Sequence, residues 1–212
     1  MATIKYSDLL DEVLPNLAAD PSDPVSEHAI KRAVIELCAG SWIWQYLMDP
    51  IDVTANEAYY DLEYPNGSDV STVMSVHHNG VELKNKSLDW LNREVPFWRT
   101  DLATPKYFTQ ITPDQIILAQ IPDATIANGL LLTLALEPSQ SSRNFPRWIA
   151  DQNLYTIADG AISTLMLMPN KPWTDIQNGA ARRASFDAGI ANARATGVAG
   201  LSRAPLRTSS QH

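Results

Sequence analysis

Side chains able to do chemistry are few, and their spacing decides most of them. His77 and His78 are adjacent in a β-patterned stretch. Neighbouring strand residues point to opposite faces, so the two cannot grip a single metal ion together. His28 and His212 lie far away in sequence, and no metal site is expected. Cys38, the single cysteine, falls inside an apolar helical pattern. A nucleophilic thiol needs a base and an exposed, electropositive setting, so Cys38 reads as a buried small hydrophobe. Ser139, Ser141 and Ser142 sit in a polar linker without the glycine-flanked elbow that activates a serine. Asp61 and Glu63 share a strand face and have the types for acid–base work, but solvated carboxylates are the expectation there. No glycine-rich phosphate loop follows a strand and opens a helix. Trp90 and Trp98 have the ring faces to stack on a sugar or base, with Arg93 and Arg99 as the basic residues beside them. The residues therefore point away from an enzyme and away from any metal or cofactor.

The net charge of −8 is unevenly spread. Residues 182–212 hold five arginines and one acid, Asp187, for a net of +4, which leaves −12 on residues 1–181. An acidic body argues against electrostatic capture of nucleic acid, which needs clustered lysine and arginine facing phosphate. It does not exclude a surface that DNA slides past. No apolar run approaches the ~18 residues that span a bilayer. The start, Met1-Ala2-Thr3-Ile4-Lys5, lacks the basic and apolar regions of a signal peptide, and one cysteine fits synthesis in a reducing compartment.

The elements that carry these residues change period twice. A first helix is expected after Ser7, with Leu10, Val13, Leu14 and Leu17 at helical spacing until Pro15 interrupts. Asp23 as N-cap and Pro24 at the first helical position open a second helix. Its buried face is Ile30, Val34, Leu37, Ser41 and Trp44, and its wet side is Glu27, Lys31, Arg32 and Glu36. Small residues Ala33, Cys38, Ala39 and Gly40 would let another helix approach closely.

From Ile51 the period is two. Tyr60, Leu62 and Tyr64 alternate before a turn at Pro65–Ser68, and Asn79-Gly80 supplies the positive φ angles of a two-residue hairpin. Ser87–Arg93 is a short helix, and Trp90, Phe97 and Trp98 cover a core edge there. Strands follow at Lys106–Ile111, Gln115–Gln120 and Gly129–Leu136, the last apolar on both faces and so buried on both. After the linker Ser139–Asn144, a long helix runs unbroken from about Pro146 through Ala150, Leu154, Ile157, Ala161, Leu165 and Met168. Thr174 with Gln177 forms a capping box for a last helix, whose apolar face is Ile176, Ala180, Phe186, Ile190 and Ala193 and whose C-terminal cap is Gly197.

The residues thus predict an α+β protein: a helical bundle formed by both chain ends (1–48 and 139–197), an inserted antiparallel β-sandwich or barrel-like domain (49–138), and an extended C-terminal arm (198–212). The arm holds no acid and no helical period. It is a disordered end or a segment that orders on a partner. Leu201, Arg203, Pro205, Leu206 and Arg207 are its candidate binding residues, two arginines four apart flanked by leucines, with a proline that blocks helix.

The stretch Ala29–Trp42 resembles the opening of head-to-tail adaptor proteins of tailed bacteriophages, which carry an Ala-Ala-x-Glu-Phe-Cys-x-x-Ser-x-x-Trp pattern there. This chain has Leu37 where phenylalanine is usual. Tyr60–Pro65, Val73, Val76, Asn79-Gly80, Asp159–Leu165, Pro169–Trp173 and Phe186–Ala195 follow in the same order, so the likeness covers most of the chain. The resemblance implies a virion neck protein made in the host cytoplasm. It would form a homo-oligomeric ring, typically dodecameric, that docks under the portal protein, meets a tail or tail-tube protein below, and lets genomic DNA pass without sequence-specific binding. By that resemblance the arm becomes the portal-binding segment. Two other readings stand beside it: a different neck or tail-tube ring component, and a glycan-binding β-domain using Trp90 and Trp98.

Overall fold

The computed structural model describes residues 2–199. Along them run β1 (Thr3–Lys5), α1 (Leu10–Val13), α2 (Asp23–Ser41), β2 (Gln45–Leu47), β3 (Ile51–Val53), β4 (Tyr59–Asp61), β5 (Ser68–His78), β6 (Val81–Glu82) and β7 (Lys84–Asn85). Then come α3 (Leu88–Glu94), β8 (Tyr107–Thr112), β9 (Gln115–Ala119), β10 (Ile126–Pro138), β11 (Asn144–Pro146), α4 (Arg147–Met166) and α5 (Ile176–Ala199). The fold is α+β. Its contacts divide the described chain into two compact units, one of residues 2–44, 67–69 and 136–199, the other of residues 45–66 and 70–135.

In the first unit α2, α4 and α5 pack on one another. The opening of α2 lies one residue earlier than the sequence suggests: Ser22 is its N-cap, and Pro24 sits at the second helical position. The expected face of Ile30, Val34, Leu37, Ser41 and Trp44 is buried. The small residues do what their size allows. Phe186, fully buried, fills a notch in α4 and α2: a Cβ built on Gly160 would meet its ring at 2.8 Å and the Ala33 methyl at 2.9 Å. Ile190 lies over Gly40 in the same way. Such interlocking lets helix backbones approach closely, where dispersion and burial act over the whole contact.

Several expected boundaries move. Pro15 shortens the first helix to α1, framed by tight 3-10 turns at Tyr6–Leu9 and Leu14–Asn16. α4 is broken rather than continuous: Asn153 has non-helical angles (φ −129°, ψ 25°), and its side-chain amide donates to the Ile149 carbonyl at 3.1 Å. A side chain bonded to a backbone carbonyl one turn earlier is a recognised cause of a kink. Asp175, not Thr174, caps α5, accepting from the Asn178 backbone N–H at 3.0 Å. Thr174 instead accepts from Lys171 N–H and donates to the Met168 carbonyl, closing the turn between α4 and α5. Ile176 is 70 % exposed and Ala180 is exposed too, so the packed face of α5 begins lower, at Gly179 and Phe186. Gly197 does not end α5, which continues through it to Ala199. A Cβ there would lie 2.7 Å from the Ser41 carbonyl oxygen, so the residue is glycine for closeness to the end of α2.

The linker Ser139–Asn144 is tied down rather than loose. Ser139 and Ser142 are buried, Ser139 N–H donates to the Gly67 carbonyl, and β11 pairs antiparallel with β1. This small sheet, with Ile4 opposite Phe145, has no counterpart in the sequence reading.

The second unit holds two open sheets, ordered β2-β10-β5-β6 with β3 also on β10, and β4-β9-β8-β7. Neither closes on itself among the described residues, so the barrel-like option is set aside. The pairing is not wholly antiparallel, because β7 and β8 run parallel. Asn79 (φ 48°) and Gly80 (φ 80°) join β5 to β6 as a two-residue hairpin, with His78 opposite Val81. Along β10, Leu130, Leu132, Leu134 and Leu136 are buried as expected, but Leu131 is 42 % exposed and Thr133 partly exposed, so the other face is covered only in part. Leu91, Trp98, Ile117 and Ala119 form a core cluster beside α3, whose N-cap Ser87 accepts from Trp90 N–H. Phe97, expected in that cover, is 67 % exposed.

Candidate functional site

The chemistry-bearing residues singled out in the sequence lie in separate environments. His78 is buried and His77 half-exposed, as opposite strand faces require. Burial lowers the His78 pKa, partly offset by the negative charge of Asp123, and its Nε2 has no hydrogen-bond partner. Among the described residues no three His, Cys, Asp or Glu side chains gather as a metal site. Cys38 is fully buried in α2, and burial, then the charge of Glu137, pushes its thiol far up, so no thiolate forms at neutral pH. Ser142 Oγ and the Tyr6 hydroxyl share a 2.8 Å hydrogen bond, and burial raises the phenol to about 12. Asp61 and Glu63 are both exposed, and Asp61 accepts from the Gln115 amide at 2.8 Å, which makes it a cross-strand partner rather than half of an acid–base pair.

The tryptophans do not form a stacking platform. Trp98 is 2 % exposed, donates from its indole N–H to Asn92 Oδ1, and is covered by the Arg99 guanidinium at 4.2 Å. Trp90 meets Tyr107 edge-on and carries the Lys86 ammonium 4.5 Å from its ring. Both rings already hold a cation.

The basic C-terminal region divides in two. Arg182 pairs with Asp159 at 2.5 Å and donates to Asn16; Arg183 pairs with Glu36 and with Asp187; Arg194 lies 4.0 Å over the Trp42 ring. These three arginines are committed within their own unit, fastening α5 to the 3-10 turn at Leu14–Asn16, to α2 and its end at Trp42, and to α4. Leu201, Arg203, Pro205, Leu206 and Arg207 lie outside the described residues.

Two hollows in the first unit have lining chemistry of their own. One, of about 490 Å³, lies between α4 and α5 beside the Asn153 kink and is lined by Gln152, Thr156, Asn192 and Thr196. The other, of about 540 Å³, is lined by Lys5, Lys31 and Arg143 from three separate segments. Sequence placed Lys31 on the wet side of α2. In the fold it is half-buried and donates to the Gln140 and Ser142 carbonyls at 2.5 and 2.7 Å, which the helical period alone could not signal.

Among the described residues, Cys38, Asp61, Glu63, His77, His78 and Ser142 are not brought together into one site. A family model described as SU10 adaptor protein matches residues 4–209. The chain belongs to that family. Curated proteins give no match. Membership in an adaptor family covers both units and supports a structural, partner-joining component of a phage particle. In this SU10-family adaptor, no described helix is long and apolar enough to cross a membrane.

Proposed function

We propose that this adaptor forms a homo-oligomeric ring, dodecameric by resemblance, in the neck of a tailed-phage virion. There it joins the portal protein to a tail or tail-tube protein and extends the channel through which genomic DNA is ejected. The observation that carries the reading is the family match from residue 4 to residue 209, which takes in both units and most of the arm. The packed helices from both chain ends serve as a bundle that builds the ring. The inserted sheets act as a sandwich-like domain facing outward or toward the tail-side partner. Residues 198–212 supply the portal-binding arm, through Leu201, Arg203, Pro205, Leu206 and Arg207. The reading assigns no catalysis, and the burial or pairing of Cys38, Asp61 and Ser142 supports that. A net charge of −8 keeps passing DNA from adhering.

Electron microscopy of the purified protein with and without portal tests the ring. Rings seated on portal are expected; an adaptor that never assembles on portal refutes the reading. Deleting Leu201–His212 is expected to leave the far-ultraviolet circular dichroism unchanged while abolishing co-sedimentation with portal. Unchanged association would remove the arm from the account.

A further inference from the structure

The hollow between β1, the start of α2 and the turn before β11 is rich in hydrogen-bond donors. Lys5, Lys31 and Arg143 line it, with His28, while Glu27 is the acid among its lining residues, so its lining carries a net of +2 within a chain of −8. Lys31 is held there by two neutral carbonyls, Gln140 and Ser142. An ammonium has three N–H donors, and beyond the two carbonyls the Lys31 nitrogen has only the face of the Tyr6 ring, 5.6 Å away. None of the ion pairs among the described residues uses Lys5, Lys31 or Arg143. Three cations from three segments therefore meet in one concavity with no protein carboxylate paired to them. The turn that positions them is fixed by the Tyr6–Ser142 and Ser139–Gly67 hydrogen bonds, so the arrangement is preorganised.

We propose that this hollow receives carboxylate side chains of a second copy of the chain, presented by the acidic segment from Asp49 to Glu63. That segment carries Asp49, Asp52, Glu57, Asp61 and Glu63, all exposed, and no lysine or arginine occurs between residues 45 and 83. Its shape is held by the Asp61–Gln115 and Tyr64–Asp114 hydrogen bonds. The contact is heterologous, one surface of the chain against a different one, and such contacts close into rings when the rotation closes. It rests on the ring reading above and names the surfaces that meet. A specific interface buries on the order of 1,000 Å² or more, so the hollow sets register and on-rate while flanking surface supplies the rest of the affinity. DNA phosphate is the rival ligand for it, and its charge density, far above that of a chain carrying −8, brings more repulsion from the acidic surface around the hollow.

Zero-length carbodiimide cross-linking of an equal mixture of unlabelled and isotope-labelled protein, assembled with portal, tests the proposal. Mixed-isotope links joining Lys5 or Lys31 to an acid between residues 49 and 63 are expected. In the Lys5→Glu/Arg143→Glu variant, links at Lys31 should fall by about tenfold or more, the scale on which like charges across an interface act. Mixed with Asp61→Lys/Glu63→Lys protein, which restores opposite charges, that variant should instead give links of reversed polarity, from the carboxylates introduced at positions 5 and 143 to the amines introduced at positions 61 and 63. Circular dichroism of each variant controls for folding. Links confined to one copy, or directed to other acids, overturn the proposal, as does failure of the charge swap to produce the reversed links. Loss of the links on adding a short DNA duplex assigns the hollow to phosphate and overturns it too. Rings on portal without these links sink the pocket and leave the ring; absence of rings sinks the ring reading first.

Discussion

Gly160 is where the helical packing can be tested most sharply, because two effects of opposite sign meet there. Glycine inside a helix is disfavoured by about 1 kcal/mol relative to alanine, so Gly160→Ala would stabilise α4 were the site open. The site is closed. The added Cβ would lie 2.8 Å from the Phe186 ring and 2.9 Å from the Ala33 methyl. Ordinary carbon contacts are about 3.5–4.0 Å, so α4 would have to retreat by roughly 0.6–1.2 Å from both neighbours. Neither can yield by rotating away, since Ala33 has no side-chain torsion and Phe186 is fully buried. Overpacking of this kind costs about 1–3 kcal/mol, which outweighs the propensity gain and leaves a net loss of about 1 kcal/mol. Urea unfolding followed by circular dichroism reads the change as a lower midpoint at constant slope. Ala184→Gly, at an exposed position on α5, calibrates the propensity scale with its own loss of about 1 kcal/mol. Ala33→Gly combined with Gly160→Ala should show a favourable coupling of about 0.5–1 kcal/mol, since it removes one of the two collisions. A Gly160→Ala protein as stable as the parent, or more stable, would refute the claim that α2, α4 and α5 meet at this point.

Two further outcomes follow from the same unit-by-unit reading. Burial lowers the His78 pKa below its unfolded value near 6.5, so the unfolded chain takes up the proton first on acidification; stability should therefore fall as pH drops below about 6.5 and level off only below the folded pKa. His78→Gln should flatten that part of a denaturation series between neutral and mildly acidic pH, and an unchanged slope would place the effect elsewhere. The Arg183–Glu36 pair is partly exposed on both sides, so Glu36→Gln should cost only about 0.2–1 kcal/mol and the difference should shrink in high salt, as measured by urea midpoints.

How far the chain can be read without coordinates depends on whether a feature is periodic or singular. The face of α2, the Asn79-Gly80 hairpin and the alternation through Tyr60 and Leu62 are periodic or carry strong local turn chemistry, and all appear where expected. The kink at Asn153 leaves the apolar repeat of α4 intact on both sides, so no pattern betrays it. Thr174 and Asp175 are both good N-cap types, and the choice between them is settled by the turn that Thr174 closes onto Met168 and Lys171. The β1–β11 pair is three residues long on each strand, too short to show a period, and is held by the stacking of Tyr6 on Phe145 at 5.2 Å. Phe97 and Ile176 show the opposite failure: apolar residues beside a core need not enter it.

Charge shows the difference most plainly, because a sum over sequence ignores where partners lie. Residues 182–212 total +4, which invites the picture of a basic tail facing an acidic body. Arg182 and Arg183 are instead neutralised inside the fold by Asp159, Glu36 and Asp187, and Arg194 is spent on the Trp42 ring. Arg203 and Arg207 lie outside the described residues, so the proposed arm carries two of the five arginines beside Leu201, Pro205 and Leu206. The acidic body has the reverse property. Its total of −12 over residues 1–181 conceals Lys5, Lys31 and Arg143, the last more than a hundred residues from the other two in sequence, brought together by one short sheet and one turn. A cluster of cations therefore exists within the described fold itself, apart from the arm.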